Sequence, residues 1–179
     1  MTLEIIRNDI TKMEVDAIVN PTNENMYGIA GVDGMIHKVE GDWLKEKTKK
    51  FRPLLQGDIQ LTKTKNLPSN YIIHTVGPIW RGGNNDEELI LKSCYINALN
   101  LAVEKELESI AFPLIATGTY GYPKDKALGT AIAVISKFLL KNEMNVFLVV
   151  YDNTSYQLSN QLYEKIDAFI DEYNIAENN

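Results

Sequence analysis

A chain of 179 residues, 45% hydrophobic and 23% charged with a formal net charge of −6, fits one globular domain with a sizeable core and is short for two. The acidic balance argues against duplex nucleic acid as the main partner, because phosphate-backbone binding uses a basic face. A small phosphorylated ligand stays open, since backbone N–H groups at a glycine turn or helix start hold phosphate without basic side chains.

No apolar segment approaches the roughly 20 residues needed to span a bilayer, and the amino terminus lacks a basic region followed by a long apolar one. The single cysteine, Cys94, can form neither an internal disulfide nor a multi-cysteine zinc site, and reads as a small buried helix residue. A cytoplasmic protein is expected, with no membrane partner.

In chain order, Leu3–Ile6 reads as an opening strand and Asn8–Thr11 as a polar turn, in which Asp9 is either a turn cap or a polar contact at a strand end. Ala17-Ile18-Val19, following Val15-Asp16, is apolar on both faces, as a buried parallel strand is. Asn20 ends it, and Asn20 to Asn23 forms a polar loop. The spacing of Val32, Ile36, Val39, Trp43 and Leu44 predicts a helix from Val32 to Lys50, its lysines Lys45, Lys47, Lys49 and Lys50 complementing the carboxyl terminus. Gly57–Thr62 and Tyr71–Val76 read as neighbouring strands of one sheet, the second closed by Gly77-Pro78.

Trp80 to Asp86, WRGGNND, reads as a mobile surface connection. The helix that follows is expected to pack Leu89, Ile96, Leu99, Val103 and Leu107 on the core. Ile110–Ile115 is a second apolar strand, running into Ala116–Pro123, with Pro123 at a helix start and Ala127, Ala131, Val134, Ile135 and Phe138 on that helix's buried face. Val146–Tyr151 is a third buried strand. A last helix carries Leu158, Leu162, Ile166, Phe169 and Tyr173, and Ala176–Asn179 is expected to fray.

Strands alternating with helices predict a three-layer α/β fold around a mixed, mostly parallel sheet, in one domain over 1–179 with its core at about 3–173. In open sheets of this kind ligands bind beyond the carboxyl ends of the strands. Two such ends carry glycine loops that lead into helices, Asn20–Asp33 and Ala116–Pro123. Gly28, Gly31, Gly118 and Gly121 would let backbone approach an anion, or would simply make tight turns.

Neither GxGxxG nor GxxxxGK[ST] is present, nor a GxSxG elbow. His37 and His74 lie on a helix and in a strand and read as structural histidines, so no metal site is expected. Asn23 and Asp33 remain as a candidate pair. An amide can hold sugar hydroxyls and a carboxylate can position or deprotonate a water. Asp33 could equally be a first-turn helix aspartate favoured by the dipole.

The ordered set Asn8-Asp9-Ile10-Thr11, VDAIVNPTN, GVDGMIHKVEG, YIIHTVGP and AFPLIATGTYGYP resembles a macrodomain of the MacroD type, over about Leu3 to Tyr151. The resemblance implies a macrodomain fold that binds ADP-ribose and hydrolyses O-acetyl-ADP-ribose or mono-ADP-ribosyl esters on acidic side chains of proteins, without a cofactor. It places Asp9 and Ile10 at the adenine with Tyr151 beside it, Asn23 at the distal ribose, and Asp33 at the hydrolytic water. Whether the aspartate or the substrate's own diphosphate activates that water is open. Gly31, Val32, Gly118, Thr119, Tyr120 and Gly121 would contact diphosphate and distal ribose, with Asn20, Ala116 and Thr117 counted among the ligand contacts. The chain departs from the family pattern at Pro21, at Ile29-Ala30 within the usual glycine run, and at Ala116 where serine is common. Those departures motivate an alternative, a non-catalytic ADP-ribose reader, and a weaker third, an RNA- or protein-interacting regulator.

Overall fold

The structure is a computed structural model and describes residues 2–159, 161 and 162. Its elements are β1 (Thr2–Arg7), β2 (Ala17–Thr22), α1 (Gly31–Glu40), α2 (Asp42–Thr48), β3 (Ile59–Lys63), β4 (Tyr71–Val76), α3 (Glu87–Glu104), β5 (Ser109–Phe112), α4 (Lys124–Leu139) and β6 (Asn145–Val150). Helical backbone also covers 153–159, and Leu158 and Leu162 pack against the core. The expected core residues Ile166, Phe169 and Tyr173, and the tail, lie outside the described residues. No described helix is long and apolar enough to cross a membrane.

The strands lie in the order β1-β6-β5-β2-β4-β3. Every neighbouring pair is parallel except β3 with β4. Side chains alternate across the sheet, and here both faces are apolar, which is why the central strands read as continuous hydrophobic runs. Ala17, Val19, Ile73, Ile110 and Phe112 point to the face covered by α3 and α4. Ile18, Ile72, Ala111 and Val149 point to the other, covered by Ile36 of α1 and Leu44 of α2. Each such apolar side chain, fully buried, contributes about 1.5–3 kcal/mol. The result is the three-layer mixed sheet that the alternation predicts.

Three local expectations are corrected. The helix predicted from Val32 to Lys50 breaks at Gly41, whose φ of 73° and ψ of −164° no helix accommodates. On α3 the buried seam is Leu91, Cys94, Tyr95, Ala98, Leu99 and Ala102, while Leu89 is 64% exposed and Ile96 and Val103 are exposed too. Leu99 is buried as expected, and Leu107 packs against the core. The Trp80–Asp86 segment is folded onto the start of α3 rather than loose: the backbone N–H groups of Arg81, Gly83 and Asn85 all donate to the Glu87 carboxylate, at 2.8, 3.1 and 2.6 Å. Cys94 is buried, and burial pushes its thiol up to about 11, against a nucleophilic role.

This topology decides where a ligand can sit. β2 and β5 are adjacent and parallel, yet β2 is followed by α1 on one face of the sheet and β5 by α4 on the other. Their outgoing loops therefore diverge, and a crevice opens between them at the carboxyl edge.

Candidate functional site

The crevice has a volume of about 420 Å³, within the size range of small-molecule sites. One wall is Pro21, Thr22, Asn23 and Ile29–Asp33; the other is Leu114 and Ala116–Tyr120, with Gly77 between them. Of the residues singled out in the sequence, Asn23, Gly31, Val32, Asp33, Ala116, Thr117, Gly118, Thr119 and Tyr120 line it. Gly121 belongs to the second loop without lining the space. Asp9 and Ile10 follow β1, and Tyr151 follows β6, on the same carboxyl edge but outside the lining.

The first wall is the entrance of α1. Its amino terminus has Ala30 as cap residue and no side-chain cap, so the first N–H groups lack partners and the positive end of the helix dipole is open to an anion. The second wall turns tightly, with Gly121 N–H donating to Gly118 at 3.0 Å and Tyr122 N–H to Ala116 at 2.9 Å. Ala116 holds a φ of +66°, a left-handed conformation that is strained for a residue with a Cβ. The two walls meet across Gly77. A Cβ there would lie 2.9 Å from the Ala116 Cβ.

Beneath the first wall lies a buried polar chain. Asp33, 5% exposed, accepts from Asn20 Nδ2 at 2.7 Å, Thr22 Oγ1 at 2.7 Å and Gly28 N–H at 3.1 Å. His37 Nε2, one helical turn on, stands 3.4 Å from its Oδ1. Because a carboxylate only accepts, the Asn20 atom facing Asp33 is the amide nitrogen, and its other hydrogen is directed at His74 Nδ1, 3.1 Å away. His74 therefore carries its proton on Nε2 and donates to Thr62 Oγ1 at 2.8 Å. Burial, assisted by His37, pushes His74 down to about 3 and keeps it neutral. Burial also lowers His37, opposed by the Asp33 charge. His74 is hydrogen-bonded at both ring nitrogens, whereas His37 is buried with neither ring nitrogen hydrogen-bonded.

Two expectations shift with this chain. Asn20, counted among the ligand contacts, is fully buried and outside the crevice; its amide fixes Asp33 and His74 instead. Asp33 does line the crevice, but its hydrogen bonds from Asn20, Thr22 and Gly28 occupy three of its roughly four lone-pair positions. Asn23 is the freer of the pair: its Oδ1 accepts the Asn25 N–H at 3.0 Å. Asp9 caps the turn after β1, with Oδ1 accepting from Thr11 N–H and Oγ1 at 2.9 and 2.6 Å. Tyr120 sits where burial, and then the negative charges of Glu24 and Asp33, raise its phenol pKa.

Thr22, Gly77 and Leu114 were missed as lining residues. Gly77 had a signal, the Gly77-Pro78 pair that closes β4 and was read only as a strand end. Ile29, prominent in the sequence as a bulky residue in a glycine loop, stands 72% exposed on the crevice rim.

Fold and crevice together define a three-layer α/β domain that presents a two-loop ligand cleft at a strand crossover. Residues 19–131 match the Macro domain family, and the chain belongs to that family. It is 43% identical over 166 residues to a macro domain-containing protein of Methanosarcina mazei, covering 92% of this chain and 89% of that protein. It is 38% identical to the O-acetyl-ADP-ribose deacetylase of Escherichia coli K12, covering 89% and 94%. Among solved structures, the Oceanobacillus iheyensis macrodomain with ADP superposes with a TM-score of 0.88 at 37% identity, covering 93% and 92%.

Proposed function

We propose that this chain binds ADP-ribose in the crevice and hydrolyses O-acetyl-ADP-ribose to ADP-ribose and acetate, with mono-ADP-ribosyl esters on acidic protein side chains as a further substrate class. The observation that carries the reading is the cleft itself: an uncapped helix start and a glycine turn face each other across a space that Asn23 and Asp33 border. Backbone N–H groups of Gly31, Val32 and the Gly118–Gly121 turn are suited to a diphosphate, and need no basic side chain. The adenine would extend along the carboxyl edge toward Asp9 and Ile10, with Tyr151 beside it. The E. coli relative is named for the deacetylase reaction, and the Oceanobacillus neighbour holds ADP.

At the reacting end Asn23 holds the distal ribose. Water adds to the ester carbonyl, the carbonyl–oxygen bond to the ribose breaks, and the ribose oxygen takes a proton. Asp33, with its lone pairs largely engaged, contributes by fixing Thr22, Gly28 and the start of α1 and by its charge. A diphosphate oxygen of the bound substrate is then the acceptor best placed to orient the water. Catalysis of this kind rests on positioning, which contributes several kcal/mol when reacting groups are held together.

The exposed Ile29 on the rim favours a second reading, a non-catalytic reader. Release of acetate from O-acetyl-ADP-ribose decides between the two. The wild type should turn over, and Asn23→Ala should lose at least about tenfold, 1.4 kcal/mol in the barrier, with unchanged unfolding. ADP-ribose binding without any release by the wild type would leave only the reader.

A further inference from the structure

Glu87 lies at the start of α3, with no part in lining the crevice, and is 2% exposed. An acid in a first helical turn is normally explained by the helix dipole. Here the carboxylate does more: Oε1 accepts from Arg81 and Gly83, and Oε2 from Asn85, so it gathers alternate N–H groups of the Trp80–Asp86 segment around itself. Burial alone would raise its pKa, but the backbone N–H groups of Asn85, Glu87 itself, Arg81 and Gly83 outweigh burial and hold it at about 2.

The gathered loop has a second contact, with the crevice wall. Gly83 lies flat against the Trp80 indole, where an added Cβ would stand 2.9 Å from the ring. Trp80 N–H donates to the Tyr120 carbonyl at 2.8 Å. Its ring packs on Tyr122 with centroids 4.8 Å apart, and the Lys126 ammonium lies over it, 5.2 Å from the centroid. Tyr122 N–H in turn closes onto the Ala116 carbonyl. The carboxylate is thus coupled, through one loop and one indole, to the turn that supplies Ala116, Thr117, Gly118, Thr119 and Tyr120 to the cleft.

We propose that Glu87 is a positioning residue for ligand binding: it braces the Trp80–Asp86 loop, and that loop sets the second wall of the crevice in its binding conformation. The functional half of this inference rests on the ADP-ribose reading above; the mechanical half does not. A preorganised wall removes the ordering term that a loose one would impose on each binding event.

The test uses the full chain as wild type, Glu87→Ala and Glu87→Gln, with amide hydrogen exchange in the free protein and calorimetric titration with ADP-ribose. Glu87→Ala should speed exchange in 80–86 and also in 116–122, leaving β2 and β4 protected. It should weaken ADP-ribose binding about tenfold while turnover at saturating substrate stays within about twofold. Glu87→Gln keeps one acceptor oxygen for Arg81 and Gly83 and should fall between the two. If Glu87→Ala does not fold, the glutamine variant carries the same comparison. Faster exchange confined to 80–86, or a uniform increase across the sheet, would overturn the proposal, as would unchanged affinity in a wild type that binds. If the wild type itself binds no ADP-ribose, the functional reading fails, and the exchange of 116–122 alone decides the brace.

Discussion

Two glycines of the first loop, three positions apart, should respond unequally to the same added methyl group. Gly28 has a φ of +69° and its ideal Cβ would fall 2.2 Å from Cγ of His37, a buried ring with no room to retreat. Gly31 has a φ of +58° and open space where its Cβ would go. For Gly31→Ala the left-handed backbone costs about 1–2 kcal/mol, partly offset by the roughly 0.4–1 kcal/mol gained from a stiffer unfolded chain. A net loss of about 1 kcal/mol or less follows. Gly28→Ala carries the same backbone term and adds overpacking, about 1–3 kcal/mol. If the peptide shifts to escape, it gives up the N–H bond to Asp33, worth about 1.5–3 kcal/mol for a charged acceptor. Those last two are alternatives more than sums, so the net loss is about 2–4 kcal/mol, a large part of a typical 5–15 kcal/mol. Urea unfolding of wild type and both variants, compared by midpoint at constant slope, measures the difference. Equal losses, or a larger loss for Gly31→Ala, would refute the assignment of His37 as the wall behind Gly28.

The corrected face of α3 predicts that Leu91→Ala loses about 2–5 kcal/mol while Leu89→Ala stays within about 0.5 kcal/mol; the reverse order in denaturant unfolding would restore the original face. His74, held neutral in the fold near 3 against an unfolded value of 6.5, makes stability fully present above pH 6.5 and falling as pH drops, by up to about 1.4 kcal/mol per pH unit. His37, lowered as well, acts with the same sign. Measured between pH 6.5 and 5, where most carboxylates stay charged, His74→Gln should flatten that dependence; an unchanged slope would contradict it. Glu87, held near 2, keeps its stabilising contribution above the unfolded carboxylate range and loses it as pH falls toward 2. In a Trp43→Phe background Trp80 emission should therefore change over that acid window in the wild type and not in Glu87→Gln.

The central strands and the two loops were legible because their signals are strong and local. Ala17–Val19 and Ile110–Phe112 are apolar on both faces, and each is followed by a loop that carries glycines before the next helix. The break at Gly41 was hidden because Val39, Trp43 and Leu44 continue the helical spacing across it; the apolar pattern carries no record of a positive φ. The face of α3 was misread because apolar residues surround much of that helix, and a reading weighted by size favours Leu89 and Ile96 over Ala98 and Ala102. Within the site, Asn23 was visible as a residue type just past a strand and Asp33 as one in the first turn of a helix. The hydrogen bonds that hold Asp33 were not, since they depend on Asn20, Thr22 and His74 meeting across two strands and a helix. Glu87 was invisible for a different reason. In sequence it is an ordinary first-turn acid, and only the folded loop shows which N–H groups it holds.

The place where ADP-ribose binds is the most direct test of the proposed function. Titration of the wild-type chain followed by backbone amide shifts should show one site, with changes at residues 9–10, 22–33 and 116–121. Absence of binding would contradict it, and so would shifts gathered instead at the polar depression around Glu14, Asp16 and Asn70, on the opposite edge of the sheet.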